Sequence, residues 1–100
     1  MQYRPLGSTG MNVSAIGLGC GMLGSSTTDY AVALIQRALD RGVNYIDVAR
    51  GYRDGEVKIG LALEGQRERA YISTKTPAKT RDEAWRHLED SLERLRTDYV

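Results

Sequence analysis

"GVNYIDVARGY", residues 42–52, sets the frame for the rest of the chain. Val43 to Val48 has the β-branched and aromatic content of a strand. Asp47 closes its apolar run, and Tyr52 follows five residues later, in a loop. A second such strand, "RAYISTK" at 69–75, ends on Lys75. A helical stretch, about Glu56 to Glu64, lies between them, so the two strands read as parallel with their C-terminal ends together. An acid, a phenol and an amine at one end of neighbouring strands can share a site. A free tyrosine titrates at about pH 10, which makes it a reluctant acid near neutrality. An ammonium beside it favours the ionised phenol, and a carboxylate can hold the ammonium charged and in place. Together they form a proton-donating device for general-acid catalysis.

Working outward, the strand–helix alternation continues in both directions. "QYRPL", the turn "GSTG" and "MNVSAI" predict a β-hairpin over residues 2–16, with Pro5 suited to an edge. "AIGLG" reads as a short buried strand entering a glycine-rich loop, Gly19 to Gly24. A first helix is expected from about Asp29 to Arg41, capped by Thr27 or Thr28. Its stripe is Val32, Ile35, Ala38 and Leu39, and Gly42 fits the left-handed position after it. In the second helix Asp54 is the expected cap, Val57 and Leu61 face inward, and Gly65 ends it. Thr80 opens a third helix with Glu83 at capping-box spacing. Ala84, Leu88, Ser91, Leu92 and Leu95 form its expected buried face. "DYV", 98–100, reads as the start of another strand. The order is hairpin, then β-α-β-α-β-α-β, an α/β pattern.

Composition narrows the partners. The 100 residues are 41% hydrophobic, enough for a packed core in one small domain. Fourteen Lys and Arg against thirteen Asp and Glu give a net charge of +1, which argues against nucleic acid. No apolar run approaches the roughly 18 residues of a membrane span. "MQYRPLGSTG" lacks the apolar centre of a signal peptide, and the single Cys20 has no internal disulfide partner, so a reducing cytoplasm is the expected setting. No metal site is expected, and nothing sets an oligomeric state.

The glycine loop admits two readings. Gly19, Gly21 and Gly24 in "GCGMLG" satisfy G-x-G-x-x-G after a strand, and Asp47 ends the next strand where an open dinucleotide fold places its ribose-binding acid. In that fold the third glycine already lies in the helix. Here "SSTTD" follows Gly24 and the helical stripe begins near Val32, so the glycines read as a loop over the strand ends.

"YRPLGSTGMNVSAIGLG", "GVNYIDVARGY", "GEVKIGLAL", "ISTK" and "RDEAWRHLEDSLERLRTDYV" together resemble the aldo-keto reductases. The likeness runs along essentially the whole chain and is collinear with that family's N-terminal portion. Its most specific motif is D-x-A-x-x-Y, with a lysine at the following strand end. The resemblance implies the N-terminal part of a (β/α)₈ barrel, about three βα units and the start of a fourth strand, with a hairpin closing its bottom. It implies reduction of an aldehyde or ketone, a small-molecule carbonyl, with NADPH or, alternatively, NADH. Tyr52 would be the general acid, Lys75 its activator and Asp47 the partner of Lys75. Gly19, Cys20 and Gly21 would line the nicotinamide end of the cofactor, with Asp47 beside it. Cys20 departs from the threonine often found there.

The family's fourth catalytic residue is a histidine near the end of the next strand. Val100 lies where that strand begins. His87, on the third helix, reads instead as a partly exposed helix-surface residue. A barrel of this class takes roughly 250 residues, so residues 1–100 read as one partial domain, a fragment expected to be inactive alone. A non-catalytic, cofactor-binding regulatory subunit of the same fold is the alternative, and the open dinucleotide-binding domain a further one.

Overall fold

The computed structural model describes residues 1–100. β1 (Tyr3–Pro5) and β2 (Asn12–Ser14) form an antiparallel hairpin, with Tyr3 opposite Ser14. β3 (Leu18–Gly19), β4 (Tyr45–Asp47) and β5 (Tyr71–Ser73) make a parallel sheet in the order β3-β4-β5. Gly19, Asp47 and Ser73 are register partners, so the three C-terminal strand ends lie level. α1 (Thr28–Asp40), α2 (Gly55–Ala62) and α3 (Arg81–Leu95) follow the three strands. Short 3₁₀ turns cover Leu23–Ser25 and Arg67–Arg69.

The hairpin is fastened to the opposite end of the sheet. Asn44, just before β4, accepts from the Ser14 amide with Oδ1 at 2.6 Å and donates from Nδ2 to the Asn12 carbonyl at 3.0 Å. Tyr3 donates its hydroxyl proton to the Gly42 carbonyl at 2.9 Å. Gly42 holds φ +87°, the left-handed conformation predicted after α1. Thr27 is the cap of that helix, its Oγ1 accepting from the Tyr30 amide, and Thr80 caps α3 through the Glu83 amide.

Between sheet and helices lies one apolar core that includes Ile35, Leu39, Ile46, Val48, Ile59, Leu63, Ile72 and Leu95. The predicted faces differ in part from the observed ones: on α1, Ile35 and Leu39 are buried as expected, but Ala31 joins them while Val32 and Ala38 are half-buried. On α2, Val57 and Leu61 are only half-buried, while Ile59, Ala62 and Leu63 enter the core. This helix is packed between α1 and α3 and hidden on two sides. A Cβ at Gly60 would lie 2.5 Å from the Arg94 carbonyl oxygen, so glycine is what lets α2 and α3 meet. On α3, Ser91 and Leu95 are buried, but Ala84, Leu88 and Leu92 are half-covered and Trp85 is 55% exposed. Only the C-terminal part of α3 reaches that crossing.

The strand expected at 98–100 does not form. Arg67 occupies its polar groups instead: Nε donates to Thr97 Oγ1 at 2.9 Å, an η-nitrogen donates to the Tyr99 carbonyl at 2.9 Å, and the guanidinium lies 4.0 Å over the Tyr99 ring. Strand propensity alone does not make a ladder without a backbone partner.

Candidate active site

Asp47 and Lys75 meet at the level ends of β4 and β5. The Lys75 ammonium donates to both Asp47 carboxylate oxygens, at 2.9 and 2.8 Å, and to the Val48 carbonyl at 2.7 Å. It lies 5.4 Å from the centroid of the Tyr52 ring. The backbone continues the strand pairing into this region, since the Val48 amide donates to Ser73 O and the Arg50 amide to Lys75 O. Tyr52 is half-buried, packed against the core, in the loop between β4 and α2. The three residues picked from the sequence are therefore together. Tyr52 and Lys75 edge an open groove of about 300 Å³, lined also by Ala49, Gly51, Thr76 and Pro77. Lys75 is 48% exposed and Asp47 43%, so solvent screening holds their pair to about 1 kcal/mol of stability or less.

The glycine loop lies beside this group. The Cys20 amide donates to the Asp47 carbonyl at 2.8 Å, carrying the β3–β4 ladder one residue further. Gly19 and Gly21 are exposed, and a Cβ at either would meet nothing within 4 Å. Cys20 between them turns its thiol into the core, where it is 1% exposed. Burial, and then the charge of Asp47, push that thiol up to about 11, against an opposing pull from Lys75. Gly24 has a different task. A Cβ there would lie 2.5 Å from the Tyr52 carbonyl oxygen, so this glycine allows the loop to touch the backbone that carries the phenol. The open dinucleotide reading required a helix at Gly21–Gly24. The chain makes a 3₁₀ turn there, and α1 waits until Thr28.

Two charged residues of α2 were not anticipated. Glu56 is 1% exposed, and its Oε1 accepts from Thr74 Oγ1 at 2.7 Å. Lys58 is 2% exposed, with its ammonium among oxygens of the glycine loop and Asp54. Asp54 stands at the helix start but spends its carboxylate on Lys58 rather than on a backbone amide. That i,i+4 spacing was the one sequence signal for the pair. His87 is partly exposed on α3, as expected, and its Nδ1 makes a 2.6 Å hydrogen bond with Oγ1 of Thr76, the residue after Lys75.

A larger cavity, about 370 Å³, lies at the other end of the sheet, lined by Tyr3, Asn12, Gly42, Asn44 and Arg69 among others. It brings no carboxylate, phenol and ammonium together, and the strand-end group is the stronger candidate on chemical grounds. No three His, Cys, Asp or Glu side chains are grouped to hold a metal ion, and no helix is long and apolar enough to cross a membrane.

Comparison with known proteins identifies the family. The profile of the Aldo/keto reductase family matches residues 15–100. The aldo-keto reductase YhdN of Bacillus subtilis is 33% identical over all of this chain and 36% of its own length. The holo form of an aldo-keto reductase from Bacillus halodurans superposes with a TM-score of 0.90 at 31% identity, over 100% of this chain and 38% of that one. An aldo/keto reductase from Klebsiella pneumoniae, solved in complex with NADP and acetate, gives a TM-score of 0.83 at 34% identity, over 89% of this chain and 34% of its own. The chain spans just over a third of the length of the curated relatives it matches. By both its sequence and its fold, the chain belongs to the aldo/keto reductase family.

Proposed function

We propose that the protein carrying this chain reduces an aldehyde or ketone to an alcohol with a nicotinamide cofactor, NADPH before NADH, and that Tyr52 is its general acid. One observation carries this reading: the Lys75 ammonium, paired with both oxygens of Asp47, lies over the Tyr52 ring. The three βα units are then the first three of a (β/α)₈ barrel. The hairpin closes the bottom, and the strand ends bearing Asp47 and Lys75 form the active face.

The residues present fit such a cofactor. Gly19 and Gly21 leave the end of β3 free of side chains, beside the groove that Tyr52 and Lys75 line. When bound, the cofactor supplies the hydride. Tyr52 gives its phenolic proton to the carbonyl oxygen as negative charge develops there. With Asp47 and the Val48 carbonyl taking the three ammonium hydrogens, Lys75 acts on Tyr52 through its field, favouring the tyrosinate left behind. Asp47 keeps Lys75 aimed. The NADP in the Klebsiella relative supports the choice of cofactor.

Tyr52→Phe in the complete polypeptide tests the assignment. Turnover of a small aldehyde should fall by about 10²–10⁴-fold, the usual worth of a positioned acid, with cofactor affinity nearly unchanged. Full activity in the Phe variant would remove Tyr52 from this role. Cofactor binding without turnover in the wild type would favour a regulatory subunit. Residues 1–100 alone should show no turnover.

A further inference from the structure

Lys58 lies on α2, outside the acid–base group, and its ammonium is closed in by oxygen. Ser26 O is 2.6 Å away, Asp54 Oδ1 2.8 Å, Leu23 O 3.1 Å and Gly24 O 3.2 Å. An ammonium has three hydrogens, so this cage offers every acceptor it can use. Three of the oxygens are carbonyls of the loop that follows β3. The fourth belongs to the segment that carries Tyr52 into α2. Burying a charge costs desolvation, and an apolar side chain of similar volume would fill the space without it. What the apolar side chain would not supply is a fixed spacing between the two loops. They already touch where the Gly24 backbone meets the Tyr52 carbonyl.

We propose that Lys58 is a positioning residue, clamping the glycine loop against the Tyr52 loop and so setting the proton donor relative to the cofactor-binding strand end. The proposal rests on the reading of Tyr52 as general acid. It has a distinctive chemical consequence. The partners are oxygens gathered around a cation, so a shortened side chain leaves a cage that a small alkylammonium ion can enter.

The experiment uses the complete polypeptide with Lys58→Met, which keeps length and loses charge, and Lys58→Ala with added n-propylammonium. Lys58→Met should lower kcat at least tenfold and weaken NADPH binding severalfold, while unfolding stays cooperative. In Lys58→Ala, n-propylammonium should restore kcat saturably, and tetramethylammonium at equal concentration should not. Unchanged kcat and cofactor affinity in Lys58→Met would overturn the proposal. So would n-propylammonium restoring the thermal midpoint but not kcat, which marks a purely structural role. Should Lys58→Ala fail to fold, Asp54→Asn opens the cage from its exposed side, and a kcat that stays at the wild-type value would likewise overturn it. Tyr52→Phe is run in parallel. If that variant keeps turnover, the acid assignment falls and the clamp is judged on cofactor affinity alone: loss in Lys58→Met supports it, and no change refutes it.

Discussion

Two lysines of this chain sit in regions of opposite character. Lys58 is buried at 2% exposure, and most of its partners are backbone carbonyls of the glycine loop. Lys75 is 48% exposed, and its main partner is a carboxylate on the neighbouring strand. The side chain is the same, but the surroundings set different tasks. A buried charge ringed by backbone carbonyls holds geometry. A charge in an open groove stays available to whatever binds beside it. Charge read from sequence does not separate the two cases, whereas burial and the kind of partner do.

The contrast can be put at risk by denaturant unfolding. Lys58→Met should cost about 3 kcal/mol, since it leaves the buried Leu23 carbonyl and the part-buried Gly24 and Ser26 carbonyls without their donor. Lys75→Met should cost no more than about 1 kcal/mol, although it removes as many hydrogen bonds. Equal losses would erase the distinction. A smaller effect is expected at the contact between the loops. Gly24→Ala forces a Cβ against the Tyr52 carbonyl and should lower stability by about 1–3 kcal/mol. Gly21→Ala, in open space, should stay within about 0.5 kcal/mol, and the two thermal midpoints decide between them. The smallest effect lies in acid. The hydrogen bond from Lys58 holds the Asp54 carboxyl below its ordinary value of 3.8. The unfolded chain therefore binds more protons there, so this pair's contribution is present above pH 3.8 and fades as the pH falls through the lower, folded value. Asp54→Asn should flatten that part of the acid-unfolding curve, and an unaltered curve would uncouple Asp54 from the cage.

The catalytic candidates were legible because strand ends carry positional meaning. Once Val43–Val48 and 69–75 read as parallel strands, Asp47 and Lys75 had to lie at one end, and Tyr52 was five residues away. Thr27, Thr80 and Gly42 were legible as local devices, set by the residues beside them. The cage was not. Its carbonyls stand 32 to 35 positions from Lys58, and nothing in "GEVKIG" announces them. Val57 and Leu61 misled for a related reason, since helical spacing does not tell that a helix is covered on two sides. "DYV" misled because strand propensity names no partner, and the Tyr99 carbonyl accepts from the Arg67 guanidinium.

The strand order β3-β4-β5 is also the order in which a ribosome delivers the strands. Each emerges beside a neighbour already made, with one helix of intervening chain. Domains emerge N-terminus first, and Asp47, Tyr52 and Lys75 all lie within 29 residues of one another in sequence. The Asp47, Tyr52 and Lys75 group is therefore local in sequence, and all its parts leave the exit tunnel ahead of α3.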